Sequence, residues 1–372
     1  MRGEYLSLHN ARTRGDHVLL AMSGGVDSGV SALALQEAGY TVVGLTMKNY
    51  CYGDAGAPER SCCSIEAIDD ARSVCQRAGI RHMVVNTEEI FGREVYRNFL
   101  DEYRAGRTPN PCVRCNSIVR FDTLIDWAGQ LGFHMVATGH YARVFRSATG
   151  RHYIARSTSR AKDQSYFLSA LEPSLLDRVL FPLGDREKSD VRDDARKAGL
   201  RVADKPDSQD VCFISTRTLR DFLDGKVELA QGDIETVTGE VVGRHDGLAT
   251  YTVGQRRGLG VAAGRPQYVL SMDVKRNVVV VGDEPDLMRR ELAFRVDWVD
   301  IEAARNAVAS GDLRAQIRSR HDATRVESIT FDDDTARVAL HAPQRAIAPG
   351  QTLAVYDGDV VVGAGIIESS LP

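Results

Sequence analysis

The sequence predicts an α/β protein whose second half is β-rich. Up to about residue 215, short β-branched runs alternate with helix-patterned segments, the mark of a parallel sheet covered by helices. Beyond that point the texture changes to short strands separated by glycine turns. The 372 residues also exceed what one hydrophobic core usually serves, so two or three domains are expected.

In chain order, residues 1–16 mix Arg2, Glu4, Arg12 and Arg14 without the apolar core of a secretion signal, and read as a loose extension of a cytoplasmic protein. Residues 17–22 form a strand, 29–38 a helix and 40–47 the next strand. Residues 69–78 make a helix closed by Gly79, 82–85 a third strand, 91–105 a longer helix, and 134–138 return to the sheet. That βαβαβ order puts ligands outside the carboxyl ends of the strands, at residues 23–28, Lys48 and Gly139-His140. The first domain is expected over 17–215. A small central β domain over 216–290 follows from the patterns at 234–243, 251–260 and 268–282. Alternating segments at 313–318, 325–331, 336–340 and 353–356, with turns at 332–334 and 357–359, read as a β-barrel over 291–372.

Composition excludes several classes. With 43% hydrophobic and 26% charged residues the chain is an ordinary globular protein, and no run approaches the roughly 20 apolar residues that cross a bilayer. A net charge of -4 gives no global pull toward nucleic acid, so RNA binding would need local basic patches. Arg143, Arg146, Arg151, Arg156, Arg160 and Lys162 form a run without an acidic residue, and Arg314, Arg318, Arg320 and Arg325 cluster again. A single such run is ordinarily a solvated face.

Ser23-Gly24-Gly25-Val26-Asp27-Ser28 follows an apolar strand and opens a helix. Its main-chain N–H groups can converge on an anion at the positive end of the helix dipole. The loop has no lysine, so it is not the cradle built for γ-phosphate transfer. It resembles the SGGxDS loop of the PP-loop ATP pyrophosphatases, which split ATP between the α- and β-phosphates and link AMP to a carbonyl oxygen. A plain glycine turn into a helix is the alternative reading.

Seven cysteines without a secretion signal read as reactive thiols or metal ligands. Thr108-Pro109-Asn110-Pro111-Cys112-Val113-Arg114-Cys115-Asn116 packs two prolines and a C-x-x-C into nine residues, which restricts the backbone and keeps the thiols close. Arg114 is a candidate to lower a thiol pKa or to bind phosphate. Cys212 ends the polar run Asp207-Ser208-Gln209-Asp210-Val211. Cys75 falls on a helix pattern and reads as a buried small hydrophobe, while Cys51, Cys62 and Cys63 stay open between structure and chemistry.

Taken together, the phosphate loop, Met47-Lys48-Asn49, the TPNPxxxCN segment, Thr138-Gly139-His140-Tyr141, residues 162–167 (KDQSYF), residues 207–214 (DSQDVCFI), residues 251–260 and Ala348-Pro349-Gly350-Gln351 resemble the bacterial tRNA-specific 2-thiouridylases. The resemblance covers almost the whole chain. It implies a PP-loop (adenine nucleotide alpha hydrolase-like) domain followed by the two β modules, and ATP-dependent 2-thiolation of the wobble uridine of tRNA. It also implies that Ala21, Met22, Ser23, Gly24, Gly25, Val26, Asp27, Ser28, Met47 and Gly139 contact ATP, accompanied by magnesium. Asn110, Pro111, Cys112, His140, Lys162, Asp163, Gln164, Arg318, Ser319 and Gln351 would face tRNA, the anticodon stem-loop of Lys/Glu/Gln-type tRNAs. Cys115 would be the nucleophile and Cys212 the persulfide carrier, loaded by a cysteine desulfurase or a sulfur-relay protein.

Two departures from the family pattern matter. Cys112 stands where many relatives have aspartate, so Cys112, Cys115 and Cys212 could instead hold a [4Fe–4S] cluster. Ser319 stands where tyrosine is common, which weakens that contact. The basic run at 143–162 directly follows Gly139-His140, which favours phosphate contact there over a solvated face.

Overall fold

The strand His17–Ala21 is apolar on both faces, with Val18, Leu19 and Leu20 fully buried. Such a strand belongs at the centre of a sheet covered on both sides. It sits there in the computed structural model, which describes residues 1–11, 16–49, 65–207, 211–214, 218–261 and 264–371. The chain divides into two units. Met1–Val95, Cys112–Ser215 and Asp359–Val361 form the first, and Tyr96–Pro111, Thr216–Gly358 and Val362–Pro372 the second.

Among the described residues of the first unit, five parallel strands run in the order Arg81–Asn86, Thr41–Lys48, His17–Ala21, Met135–Ala137, Val179–Leu180. Chain order reverses at His17–Ala21, and the loop leaving that strand therefore opens into the switch-point crevice. Val30 and Leu35 of helix Val26–Glu37, Val74 and Cys75 of helix Ile65–Ala78, and Val191 and Ala195 of helix Lys188–Lys197 close one core with Val18 and Leu20. Each buried valine or leucine among them contributes about 1.5–3 kcal/mol.

Three expectations are corrected. The first residues are not loose: Gly3–Tyr5 pairs antiparallel with Ala142–Ser147, and the Tyr40 hydroxyl donates to Leu8 O at 2.6 Å. The helix expected over 91–105 is the succession Glu88–Phe91, a π turn at Gly92–Tyr96, and Arg97–Arg104. Residues 251–260 do not form a strand, because Gly254, Gly258 and Gly260 lie at φ +88, +77 and +67, outside the ladder geometry.

In the second unit, Val241–His245, Gly232–Thr236, Val278–Gly282 and Tyr268–Asp273 make a four-stranded sheet over Ile234, Val269, Val279 and Val281. Val360–Leu371, Met288–Val299, Thr335–Arg345, Thr324–Asp332, Leu313–Gln316 and Thr352–Asp357 follow one another and close on themselves, the last strand pairing with the first. Closure removes the exposed edges that an open antiparallel sheet would leave. No described helix is long and apolar enough to cross a membrane.

Candidate active site

Ala21 ends its strand, and the buried Met22 donates its N–H to Leu45 O at 2.9 Å, which fixes the exit of the chain. Gly24 then turns at φ +69, and a Cβ there would stand 2.1 Å from Ala67 O, so only glycine fits. Helix Val26–Glu37 begins after Gly25, whose extended backbone (φ -101, ψ 166) carries no side-chain cap. The first-turn N–H groups are therefore left for an anion. Ser28 Oγ braces the loop, donating to Gly25 O at 3.0 Å and accepting from Ser23 N at 3.2 Å. Gly139 lies against the same loop, with a Cβ there 2.9 Å from Asp27 C and Ser28 N. Met47, only 8% exposed, comes from the end of strand Thr41–Lys48 beside it in the sheet. An uncapped helix start with two serine hydroxyls and close glycines fits a nucleotide phosphate.

Asp27, half-buried, is held by two side chains. Lys188 Nζ reaches its two carboxylate oxygens at 2.7 and 2.8 Å, and the Tyr141 hydroxyl donates at 2.9 Å. Lys188 also lies 2.8 Å from Asp207, which in turn accepts from Lys162 at 2.9 Å and Arg192 at 3.2 Å. Burial acts upward on the Asp207 carboxyl, but the lysine hydrogen bonds outweigh it and take its pKa down to about 2. Asp207 is thus a carboxylate throughout the neutral range. Neither Lys188 nor this role of Asp207 was visible in the sequence, since the partners stand 161 and 45 residues apart.

His140 packs between Phe121 and Phe181. Its Nε2 faces an Arg120 N–H at 3.3 Å, and a guanidinium only donates, so Nδ1 carries the proton toward Thr138 Oγ1 at 2.8 Å. Arg120 also donates to Asn116 Oδ1 at 2.7 Å, which ties His140 to the residue after Cys115. Burial and the Arg120 charge push the imidazole down to about 3, so His140 works as a neutral hydrogen-bonding group. With the folded pKa below the unfolded value near 6.5, the native state loses stability as pH falls from about 6.5 toward 3. His140→Gln is expected to flatten that part of the stability profile, measured as urea midpoints between pH 7 and 4.5.

The thiol segments converge on one helix. Cys115 is only 8% exposed and opens the π segment Cys115–Arg120. The neighbouring Arg114 donates to the Glu94 carbonyl and, at 3.1 Å, to the Glu94 carboxylate, so its charge is neutralised by Glu94. Phe213, next to Cys212, packs edge-on against Phe91 at 5.7 Å. Residues 91 and 94 thus anchor the two cysteine-bearing segments within the same unit. Cys112 and Cys212 are partly exposed, and Cys75 is buried with its thiol pushed up to about 12 by desolvation. Among the described residues no three His, Cys, Asp or Glu side chains are grouped to hold a metal ion. Cys51, Cys62 and Cys63 lie outside the described residues.

Several residues expected to face tRNA have structural partners. Asp163 is hydrogen-bonded by Arg156, Ser157 N and Ser165. Gln164 exchanges two hydrogen bonds with the Tyr141 backbone at 2.8 and 2.9 Å. Most of the basic run is ion-paired: Arg156 with the nearby Asp163, and Arg146 with Glu4, Arg160 with Asp359 and Lys162 with Asp207 from farther along the chain. Arg143, only 12% exposed, holds Arg156 O and lies 3.8 Å over the Tyr5 ring. Along this run the fold brings in carboxylates, three of them from outside the run's neighbourhood.

In the second unit, Gln351 Nε2 donates to Thr108 O at 2.8 Å, and Pro349 O accepts from Thr108 N at 2.8 Å. Gly350, at φ +90, comes so near that a Cβ would stand 2.9 Å from Thr108 N. These contacts clamp the start of the segment that runs through Asn110 and Pro111 to Cys115. Arg318 and Ser319 offer their carbonyls to Gln316 Nε2 at 3.1 and 3.3 Å. Gln351→Ala is expected to cost about 1 kcal/mol of stability and to slow any chemistry at Cys115 about tenfold through misplacement. ATP affinity, measured by calorimetry on the same protein, should stay unchanged.

Comparison with known proteins agrees with this layout. Residues 16–216 match the family model described as tRNA methyl transferase HUP domain, 220–283 the tRNA methyl transferase PRC-barrel domain, and 291–367 the aminomethyltransferase beta-barrel domain. The chain is 41% identical to the tRNA-specific 2-thiouridylase MnmA of Koribacter versatilis, over 95% of this chain and 99% of that one. It is 44% identical to the protein of that name from Heliobacterium modesticaldum, over 95% and 93%. For the Clostridioides difficile protein the identity is 39%, over 95% and 98%. Likeness at this level and coverage shows that the chain belongs to the tRNA-specific 2-thiouridylase (MnmA) family.

Proposed function

We propose that this enzyme replaces the C2 oxygen of the wobble uridine of tRNA by sulfur at the expense of ATP. The observation that carries the reading is one unit in which an uncapped glycine loop and two cysteine-bearing segments anchored on a single helix occur together. A uracil oxygen is a poor leaving group, so it must first be activated. With the triphosphate held by the main chain of residues 23–28, uracil O2 attacks the α-phosphorus and pyrophosphate departs. The terminal sulfur of a Cys212 persulfide adds to C2. The Cys115 thiolate then attacks Cys212 Sγ, the S–S electron pair passes to the sulfur on C2, and C=S forms as AMP leaves. The products are 2-thiouridine, AMP and a Cys115–Cys212 disulfide, which a thiol reductant resets before a cysteine desulfurase or relay protein reloads Cys212.

Magnesium would offset phosphate charge, with phosphate oxygens as its main ligands. The target base must leave its stack, which costs least in a single-stranded anticodon loop. Arg314 and Arg325 stand directly opposite on adjacent strands, both exposed and without an ion pair among the described residues. Like charges so placed are destabilising until an anion joins them, which supports RNA phosphate contact on the barrel. The test is incubation with ATP, magnesium, a persulfide donor and transcripts of Lys-, Glu- and Gln-type tRNAs, followed by nucleoside mass spectrometry. 2-Thiouridine with stoichiometric AMP is the expected result; no thiolation, or methylation with a methyl donor instead, would overturn the reading.

A further inference from the structure

The peptide that joins strand His17–Ala21 to the phosphate loop is gripped by a side chain from the neighbouring strand. The Thr46 hydroxyl donates to Met22 O at 2.9 Å. Thr46 is 1% exposed and lies on strand Thr41–Lys48 between Leu45, whose carbonyl takes the Met22 N–H, and Met47. His82 Nε2, on strand Arg81–Asn86, stands 2.8 Å from the same hydroxyl. A hydroxyl has one proton and a carbonyl only accepts, so that proton points at Met22 O and His82 Nε2–H donates to Thr46. Burial and the Arg72 charge hold the His82 imidazole below its ordinary value, so at neutral pH it donates as the uncharged ring. Packing supports the same arrangement. At Gly44 a Cβ would stand 2.8 Å from Cys75 Sγ, 3.0 Å from Met22 Cγ and 3.5 Å from His82 Cδ2, so the bare main chain there leaves the room in which these three side chains meet. We propose that Thr46 and His82 are positioning residues for the nucleotide: the hydrogen-bonded chain from His82 through Thr46 to Met22 O sets the plane of the peptide that opens the phosphate loop and, through it, the affinity for ATP.

The plane of this one peptide governs the loop from both ends. With its carbonyl turned to Thr46, its N–H, that of Ser23, points at Ser28 Oγ at 3.2 Å, and the Ser28 hydroxyl in turn donates to Gly25 O. A buried carbonyl without a donor is costly, so removal of the Thr46 hydroxyl turns the plane toward some other donor. Ser28 then loses the Ser23 N–H, and the N–H groups of the helix start no longer converge on one anion. Part of the binding free energy of the nucleotide must be spent on resetting the loop, which is read as weaker binding. The inference rests on the reading of residues 23–28 as an ATP site, and the test separates the two.

Binding of a non-hydrolysable ATP analogue with magnesium is measured by calorimetry on the full-length protein, beside a urea curve that shows each variant to be folded under the conditions used. Thr46→Val keeps the shape of the side chain and removes the hydroxyl, and its affinity is expected to fall about tenfold. Thr46→Ser keeps the hydroxyl and should bind within about threefold of the wild type. His82→Leu leaves Thr46 its bond to Met22 O but removes the donor behind it, and should weaken binding about threefold. The double variant Thr46→Val, His82→Leu should bind no more weakly than Thr46→Val alone, because His82 acts only through Thr46. Wild-type affinity in folded Thr46→Val overturns the positioning role, as do equal losses in the serine and valine variants or additive losses in the double variant. Should Thr46→Val not fold, wild-type affinity in His82→Leu overturns it instead. Absence of binding in the wild type overturns the ATP reading and the positioning role with it.

Discussion

Cys115→Ser is expected to lower the rate of 2-thiouridine formation by about 10⁴-fold or more, as loss of a nucleophile does elsewhere, while tRNA-dependent pyrophosphate release continues. Serine matches cysteine closely in shape, and Cys115 sits buried in a segment held by the Arg114–Glu94 and Arg120–Asn116 hydrogen bonds, so the fold should survive. Cys212→Ser should give the same loss, because either thiol is indispensable to a persulfide that is formed on one and released by the other. Cys75→Ser provides the contrast. Its thiol is buried and pushed up to about 12, and a group that stays protonated contributes nothing to nucleophilic chemistry. That variant should thiolate normally. Cys112→Ser separates two routes: a persulfide passed between Cys212 and Cys115 leaves that variant active, whereas a cluster held by Cys112, Cys115 and Cys212 makes it inactive. Thiolation at the wild-type rate by Cys115→Ser would remove the thiol mechanism altogether.

The division between what the sequence reveals and what it hides follows the range of the interactions. The central strand, the glycine loop and the helix after it were legible because each depends on neighbours within a few residues: buried Val18 to Leu20, then Gly24 at positive φ. The helix start itself falls at Val26, three residues before the expected one, because the loop is tighter than the apolar pattern suggests. Electrostatic partners were not legible. Arg143, Arg156 and Arg160 form a basic surface in sequence, yet Asp163 and Asp359 neutralise them in the fold. Arg114 looked like a thiol activator until Glu94, twenty residues away, claimed it. Lys188 carried no local signal, being one of many charges on an exposed helix pattern. Gln351 was recognised as part of a family motif, but the Thr108 carbonyl that it holds lies 243 residues away. Periodicity reports burial against the rest of the chain; it carries no information about which charge meets which.

Gly24→Ala and Gly25→Ala should separate the fold of the phosphate loop from its use. At Gly24 a side chain suffers twice: the left-handed backbone costs about 1–2 kcal/mol, and the new Cβ would stand 2.1 Å from Ala67 O, a main-chain atom of helix Ile65–Ala78 that cannot turn aside. The loop or the helix must move, so Gly24→Ala should lower stability by at least about 2 kcal/mol and abolish detectable ATP binding. At Gly25 the backbone is extended, and among the described residues an added Cβ meets only Ser23 Oγ, 3.4 Å away. Stability should stay within about 0.5 kcal/mol of the wild type. Binding is a different matter, because a main chain that donates N–H groups to a phosphate must approach it closely, and a methyl group at the helix N-cap stands in that approach. ATP affinity of Gly25→Ala should fall by about tenfold or more, read by calorimetry beside a denaturation curve. Unchanged affinity with an unchanged fold would mean that the nucleotide phosphates do not rest on this main chain, and the adenylation chemistry would have to be placed elsewhere in the unit.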